Sequence, residues 1–258
     1  MTDSKSEHRL EATRDGSHTV YSKQFDQHFH NPNGAVAESR YVFFKQNNLL
    51  DALAQHDHIT ILEVGFGTGL NLMLLMDYCQ SQYPDTKVDY YSVEAYPLNP
   101  ITAQNLNYNN HLNNPEIAQE VISVFDDIQL GMNHFLMGEH IDFHLFNGFF
   151  ADLSQEGIQA NYIFHDAFSP DTNPNLWTGN VFEKLYNLSA GDVILSTYCA
   201  ASKVQGAMAW AGWKIAKTQG ALGKREMILG AIDPKRLSGH KRINEQRYSR
   251  RYEEGDFD

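Results

Sequence analysis

The sequence predicts an α/β chain built on a mostly parallel sheet with helices on both faces. Three observations carry that expectation. Short β-branched apolar runs alternate with helical runs from Ile59 to Ala231, the first of these strands runs into closely spaced glycines, and the alternation persists without an internal repeat. A chain of 258 residues with 42% hydrophobic content suits one domain, or one domain with a small appendage. This composition excludes collagen, coiled coil, low-complexity disorder and a disulfide scaffold. The opening MTDSKSEHRL has no apolar h-region and no apolar run approaches about 18 residues, so neither an export signal nor a membrane span is expected. Two cysteines, Cys79 and Cys199, give neither a disulfide framework nor zinc spacing and fit a reducing cytoplasm.

Residues 10–25 read as a hairpin in which Asp15-Gly16 supplies the positive-φ turn. Ile59–Val64 is a buried strand, and Leu70–Tyr83 is a helix with Leu72, Leu75, Met76 and Cys79 on one side. Val88–Glu94 is the second strand, with Pro97 and a helix after it. A helix over Pro115–Met132 leads to an extended stretch, Asp142–Asp152, and then to a strand at Tyr162–Asp166. Asn173-Pro174 has the form of an N-cap followed by proline at the first helical position, opening a helix towards Asn187. Asp192–Thr197, a helix near Ser202–Trp210, and strands near Trp213–Lys217 and Met227–Ala231 close a seven-stranded series. Beyond Pro234 the periodicity is lost. The expected organisation is therefore an N-terminal extension over 1–58, with hairpin and helix, a main domain over 59–232, and a tail or linker over 233–258. Ligands of such sheets bind in the crevice at the strand carboxyl ends.

The formal charge of −12 conceals a division. Residues 201–251 carry twelve Lys/Arg against Glu226, Asp233 and Glu245, giving +9, and the remainder carries eight against 29 acids, giving −21. A basic block on an acidic body marks an anion-binding face, and a solvated basic tail has the same composition.

The strongest local signal is Glu63-Val64-Gly65-Phe66-Gly67-Thr68-Gly69-Leu70-Asn71. Glycines after a buried strand allow a tight turn and close approach of a ligand to the backbone. A dinucleotide loop wants a third glycine at position 70, where this chain has Leu70. The G-x-G-x-G form after an acid resembles motif I of class I S-adenosylmethionine methyltransferases, which hold no pyrophosphate. That resemblance implies Glu63 near the amino-acid end of the cofactor, Gly65, Gly67 and Gly69 along its path, and Asn71 beside it. Glu94 ends the second strand, where an acid accepts hydrogen bonds from ribose hydroxyls. Asp152 is the expected acid facing the adenine amino group, with Asn147-Gly148 as the rival location.

Ile163-Phe164-His165-Asp166-Ala167-Phe168-Ser169-Pro170 places an acid and a short polar loop after an apolar strand. Methyl transfer to nitrogen moves positive charge from sulfur to the attacking atom. A carboxylate there accepts the N–H, aims the lone pair and stabilises the developing ammonium. His165 points to the opposite face of the strand and is expected to be structural. His28-Phe29-His30 and His56-Asp57-His58 lack accompanying ligands, so no metal site is expected. Trp177 is read as core, with stacking on a base as the alternative.

Several motifs then converge. Asp15-Gly16-Ser17, Gly34–Phe43, Glu63–Asn71, Glu94–Leu98, Asp166-Ala167-Phe168-Ser169-Pro170, Asn173-Pro174-Asn175-Leu176-Trp177, Thr197–Ala200 and Gly223-Lys224-Arg225-Glu226-Met227 stand in order over about residues 12–230. Together they resemble the methyltransferase domain of the bacterial tRNA 5-methylaminomethyl-2-thiouridine biosynthesis (MnmC-type) family. The resemblance implies the class I S-adenosylmethionine-dependent, Rossmann-like fold and N-methylation of the 5-aminomethyl group of wobble uridine 34 in tRNA, with Asp166 catalytic. It further implies Phe168, Trp177, Tyr198, Lys224 and Arg225 on the substrate or tRNA side, and Glu38, Ser39 and Arg40 in a segment closing over the cofactor. The family's known form carries a C-terminal FAD-dependent oxidase. No second G-x-G-x-x-G unit occurs in these 258 residues, so FAD is not expected in this chain, and a separate or fused oxidoreductase is the expected partner. A methyltransferase acting on a small-molecule amine or a protein is the rival enzyme, and a nucleotide- or RNA-binding module without catalysis is the rival from another class.

Overall fold

The computed structural model describes residues 7–257. An N-terminal three-stranded antiparallel sheet comprises β1 (His8–Ala12), β2 (His18–Ser22) and β3 (Gln27–His28). The hairpin turns at Gly16, whose φ of 85° requires glycine. The Asp15 carboxylate accepts the backbone N–H of Ser17 at 2.9 Å and that of Ala37 at 2.9 Å. It thereby ties the hairpin to α1 (Ala35–Ser39), which continues as a π-helical turn over Arg40–Lys45 and then α2 (Leu49–Leu53).

The main sheet follows: β4 (His58–Val64), α3 (Leu70–Gln82), β5 (Lys87–Glu94), α4 (Pro100–Gln104), α5 (Glu116–Asp127), β6 (Gly131–Met137) and β7 (Ile141–Asn147). Next come β8 (Ala160–His165), α6 (Gly179–Asn187), β9 (Ser189–Thr197), α7 (Ser202–Trp210), β10 (Lys214–Thr218) and β11 (Met227–Ala231). Beyond these lie β12 (Lys241–Arg242) and α8 (Glu245–Glu253). The strand order is β12-β10-β11-β9-β8-β4-β5-β7-β6. Five central strands, β7, β5, β4, β8 and β9, run parallel, and the outer strands pair antiparallel. The chain moves from β4 to β5 on one side and returns to β8 on the other. The carboxyl ends of β4 and β8 are therefore the switch point where such sheets open a crevice.

Strand alternation divides the core. Ile61 and Phe164 face one side with Phe43, Leu72, Leu75, Tyr90 and Phe143, while Leu62 and Ile163 face the other with Phe182, Leu195, Met208 and Trp213. The structure has the class I methyltransferase-like α/β architecture expected, with nine strands in place of seven. The additions are β6, falling partly where the helix over 115–132 was expected to end, and the two-residue β12. Helix α3 is buried on nearly every face rather than one, because the N-terminal segment covers its outer side; Phe44 meets Tyr78 at 5.3 Å between ring centroids. The expected helix from Asn173 is instead a 3-10 turn, Pro174–Trp177, and a separate helix α6 whose N-terminal Val181 N–H is accepted by the Thr178 hydroxyl at 3.4 Å.

The segment from 233 onward, expected as tail or linker, is folded through residue 257. Asp233 caps a 3-10 turn, and α8 lies against α7 with Tyr252 and Phe257 close to Gly206. Tyr252 Oη accepts the Gly179 N–H at 2.9 Å, which places the end of α8 beside the loop leaving Asp166.

Candidate active site

The glycine loop leaves β4 with Gly65, Gly67 and Gly69 all at positive φ, 100°, 54° and 74°. A Cβ on Gly65 would stand 2.7 Å from the Asp166 carbonyl oxygen, so the two strand ends approach as closely as backbone allows. Above this loop opens a cavity of ≈ 740 Å³, within the range of small-ligand sites.

Its floor is a polar chain. Asn71 Nδ2 donates to Glu63 Oε1 at 2.9 Å and to Asp166 Oδ2 at 3.1 Å, and Ser92 Oγ donates to Glu63 Oε2 at 2.7 Å. Burial pushes the Glu63 carboxyl up to about 7 against these hydrogen bonds. Burial also raises Asp166 well above the usual carboxylate range, and the neighbouring Glu63 and Glu38 charges push the same way. The Asn71 amide oxygen is buried and without a partner among the described residues, so the floor keeps one acceptor for a donor on a bound molecule. Glu94 sits at the end of β5 with Oε2 accepting the Gly67 N–H and Oε1 the Tyr96 N–H, each at 2.9 Å. An acceptor chain, a glycine passage without Cβ atoms and a strand-end carboxylate are a set of acceptors that fits the methionyl ammonium and ribose hydroxyls of S-adenosylmethionine.

A second cavity of ≈ 270 Å³ adjoins the first, and Asp166, Ala167 and Phe168 line both. Glu38, Ser39, Tyr198 and Lys224 line the second alone. Lys224 Nζ donates to Glu38 Oε1 at 2.9 Å and stands 4.9 Å from the Tyr198 ring centroid, while Tyr198 Oη donates to the Ala167 carbonyl at 2.8 Å. Glu38 also accepts from the Asn31 backbone at 3.1 Å.

The structure thus brings Gly65, Gly67, Asn71, Glu94, Asp166 and Phe168 to one cavity, with Glu63 buried behind Asn71, and Glu38, Ser39, Tyr198 and Lys224 to its neighbour. It does not bring Asp152 there. Asp152 is exposed at the end of a 3-10 turn, Phe150–Asp152; Gly148, the rival location, and Phe149, Phe150 and Ala151 line the cavity instead. Gly69 lies behind the passage, against Val121 and Phe66. Arg40 also faces elsewhere, donating to the His111 carbonyl at 2.7 Å. Trp177 is core: it is 3% exposed and donates to the Phe168 carbonyl at 2.7 Å, so it braces the loop and is not free to stack on a base. Arg225 is exposed, and Lys224, also exposed, lines the second cavity through its contacts with Glu38 and Tyr198.

The loop around β3 also lines the first cavity, through Gln24, Phe25 and Phe29. Phe25 and Phe29 meet Phe168 at 5.0 Å each, Phe25 meets Tyr96 at 5.3 Å, and Gln27 Oε1 accepts the Ser169 hydroxyl at 2.8 Å. Its readable signal is the pair of aromatics bracketing Gln27, but their partners lie some 140 residues away in sequence.

His165 is fully buried, with Nε2 2.9 Å from the Leu176 carbonyl and its ring 4.4 Å from Trp177. Burial lowers it to about 4 from an ordinary 6.5. Between these values the unfolded chain binds a proton that the folded one refuses, so this residue weakens the fold as pH falls from about 6.5 to about 4. His165→Gln is expected to reduce the loss of stability between pH 7 and pH 5 in urea unfolding; an unchanged loss would remove His165 from the acid response.

Comparison with known proteins agrees with the geometry. A family model described as S-adenosyl-L-methionine-dependent methyltransferase matches residues 115–233. The tRNA 5-methylaminomethyl-2-thiouridine biosynthesis bifunctional protein MnmC of Leptospira interrogans is 32% identical over 219 residues, 83% of this chain and 34% of that protein. Its namesake in Actinobacillus pleuropneumoniae is 31% identical over 227 residues, again 83% of this chain and 34% of the relative. The chain thus spans about a third of the length of these curated relatives. The crystal structure of MNMC2 from Aquifex aeolicus superposes with a TM-score of 0.73 at 23% identity, covering 97% of this chain and 77% of that one, and so shares the fold.

Proposed function

We propose that this chain, which belongs to the MnmC-type family of S-adenosyl-L-methionine-dependent methyltransferases, N-methylates the 5-aminomethyl group of wobble uridine 34 in tRNA. The observation that carries the reading is the meeting of two cavities at Asp166, one over the glycine loop and one lined by Glu38 and Tyr198. S-adenosylmethionine supplies a methyl group on positively charged sulfur. Asp166 accepts the amine N–H, turns the lone pair towards the first cavity and, once the N–C bond has formed and the C–S bond has broken to leave the neutral thioether, would take a proton from the resulting secondary ammonium. Asn71 holds the Asp166 carboxylate to the cofactor floor through Glu63. Glu38 and the Tyr198 ring, already engaging the Lys224 ammonium, are a suitable receptor for a cationic aminomethyl group.

The tRNA body is assigned to the basic C-terminal segment. Several of its cations are engaged locally: Lys217 with Glu226, Arg242 with Glu245, Arg250 with Glu254 and Arg251 with Asp256. Arg250–Glu254 is exposed and the other three are partly so; surface pairs are worth about 1 kcal/mol or less, so exchange for phosphate is cheap. Arg225→Ala is expected to weaken tRNA binding and to lower the slope of log affinity against log salt by about one. Lys224→Ala, because it empties part of the second cavity, should alter turnover more than that slope. An unchanged salt slope in Arg225→Ala would count against phosphate contact there.

The relatives are named bifunctional, and we assign the oxidative step that frees the amine to an FAD-dependent oxidoreductase, fused or separate, acting in the cytoplasm. Among the described residues no helix is long and apolar enough to cross a membrane. Transfer of label from S-adenosylmethionine to undermodified tRNA, challenged with free amines and unfolded protein, tests the substrate class. Label entering the amines or protein in preference to tRNA favours the rival reading.

A further inference from the structure

We propose that His134, Asp142 and His144 form a binding site for a divalent transition-metal ion of the zinc class, on the sheet face remote from both cavities. The three come together by strand register. His134 on β6 is paired directly with His144 on β7 across an antiparallel ladder, and Asp142 precedes His144 by two residues on the same strand. Period-2 alternation therefore puts all three side chains on one face, at directly opposed and diagonal positions.

One ligand atom from each residue lies within 4.8 Å of the other two. Both imidazoles aim Nε2 at the same carboxylate oxygen: His134 contacts Asp142 Oδ1, and His144 Nε2 is 3.4 Å from it. Donors about 2.0–2.1 Å from a tetrahedral zinc stand about 3.3 Å from one another, so the donor spacing already approaches that of a coordination shell. Two nitrogens and one carboxylate oxygen suit zinc and its first-row neighbours rather than calcium or magnesium.

The rings are also held. His144 stacks on Tyr91 of β5 at 4.6 Å and 12°, and on His134 at 4.8 Å and 22°. Tyr91 thus orients the more buried ligand from behind. None of the three residues lines either cavity. The strand face is open, with Met132 50% and Leu136 75% exposed beside His134, so a fourth position remains for water. Hydrogen bonding alone is a weak account of the convergence. His134 and Asp142 have side chains 53% and 42% exposed, and ion pairs at such exposure contribute about 1 kcal/mol at most. A bound ion would instead cross-link the antiparallel edge strand β6 to β7.

The test is equilibrium dialysis of the full chain against zinc alone, followed by metal analysis, with cobalt absorption as a second reading of the ligand set. One saturable equivalent is expected, lost in His144→Ala and in His134→Ala and weakened about tenfold or more in Asp142→Asn. Zinc should raise the thermal midpoint of the parent chain and not that of the histidine variants. Methyl transfer by His134→Ala, which changes only the exposed edge strand, should equal that of the parent. Absence of a saturable equivalent, or its retention in both histidine variants, would overturn the assignment. Far-UV circular dichroism of the two histidine variants separates loss of the site from loss of the fold.

Discussion

Asp166→Asn is expected to lower methyl transfer by about 10³-fold while leaving S-adenosylmethionine affinity nearly unchanged. Asparagine matches aspartate in shape, so the backbone link from Asp166 N–H to the Val64 carbonyl at 3.0 Å and the fit against Gly65 survive. What is lost is the negative acceptor facing the nitrogen, the one carboxylate shared by both cavities. The sign of the pH response follows from the same environment. Burial and two carboxylate neighbours raise Asp166, so the base form is populated only as pH rises above the usual carboxylate range. The substrate amine must also lose a proton before it attacks, so both titrations make turnover increase with pH. Single-turnover rates at saturating cofactor, set beside calorimetric cofactor binding, check this. Loss of cofactor affinity in the variant would move Asp166 from the substrate to the cofactor.

Gly65→Ala is the second large effect. The residue has φ of 100°, and an added Cβ would meet the Asp166 carbonyl oxygen at 2.7 Å and its carbon at 3.1 Å. Both obstacles are backbone and cannot rotate away, so β4 and β8 must part at their carboxyl ends. A non-glycine residue in this conformation costs about 1–3 kcal/mol before that displacement is added. The variant should therefore lose thermal stability and cofactor binding together. Gly67→Ala supplies the contrast, since its Cβ meets only the Phe29 ring, at 3.1 Å, and a side chain can yield. Equal losses in the two variants would show that loop flexibility, and not the apposition of the strand ends, controls the site.

The strand-end half of the candidate site was legible because its signals are local. A β-branched strand running into glycines, an acid at the end of the next strand and an acid after a third are each written within ten residues. The parallel register then brings Glu63, Glu94 and Asp166 together without further information. The position of Asp152 was less legible: the chain leaves the sheet after Asn147, five residues before Asp152, and a 3-10 turn leaves that carboxylate exposed beside the cavity-lining Phe150 and Ala151. Strand β6 was missed because its outward positions include exposed Met132 and Leu136 beside His134, which erases the polar alternation an edge strand usually shows. The fold of α8 was hidden similarly. Tyr248 and Tyr252, spaced by one turn, are its aromatic contacts amid arginines and glutamates.

The contact of Phe25 and Phe29 with Phe168 had no local signature beyond the two aromatics bracketing Gln27. It depends on packing between the N-terminal sheet and a loop at Phe168, contacts separated by about half the chain. The charge division was visible in composition, but its meaning changed with the coordinates. Lys224 faces the pocket through Glu38 and Tyr198, while Arg225, Lys235, Lys241, Arg247 and Arg250 are among the exposed cations of the segment.

The central claim, amine methylation on wobble uridine 34, is tested most directly by nucleoside analysis. Undermodified tRNA bearing 5-aminomethyluridine is incubated with this chain and S-adenosylmethionine, digested and resolved by mass. The account predicts conversion to 5-methylaminomethyluridine, dependent on Asp166. Unchanged 5-aminomethyluridine, with S-adenosylmethionine binding intact in the same preparation, would contradict it.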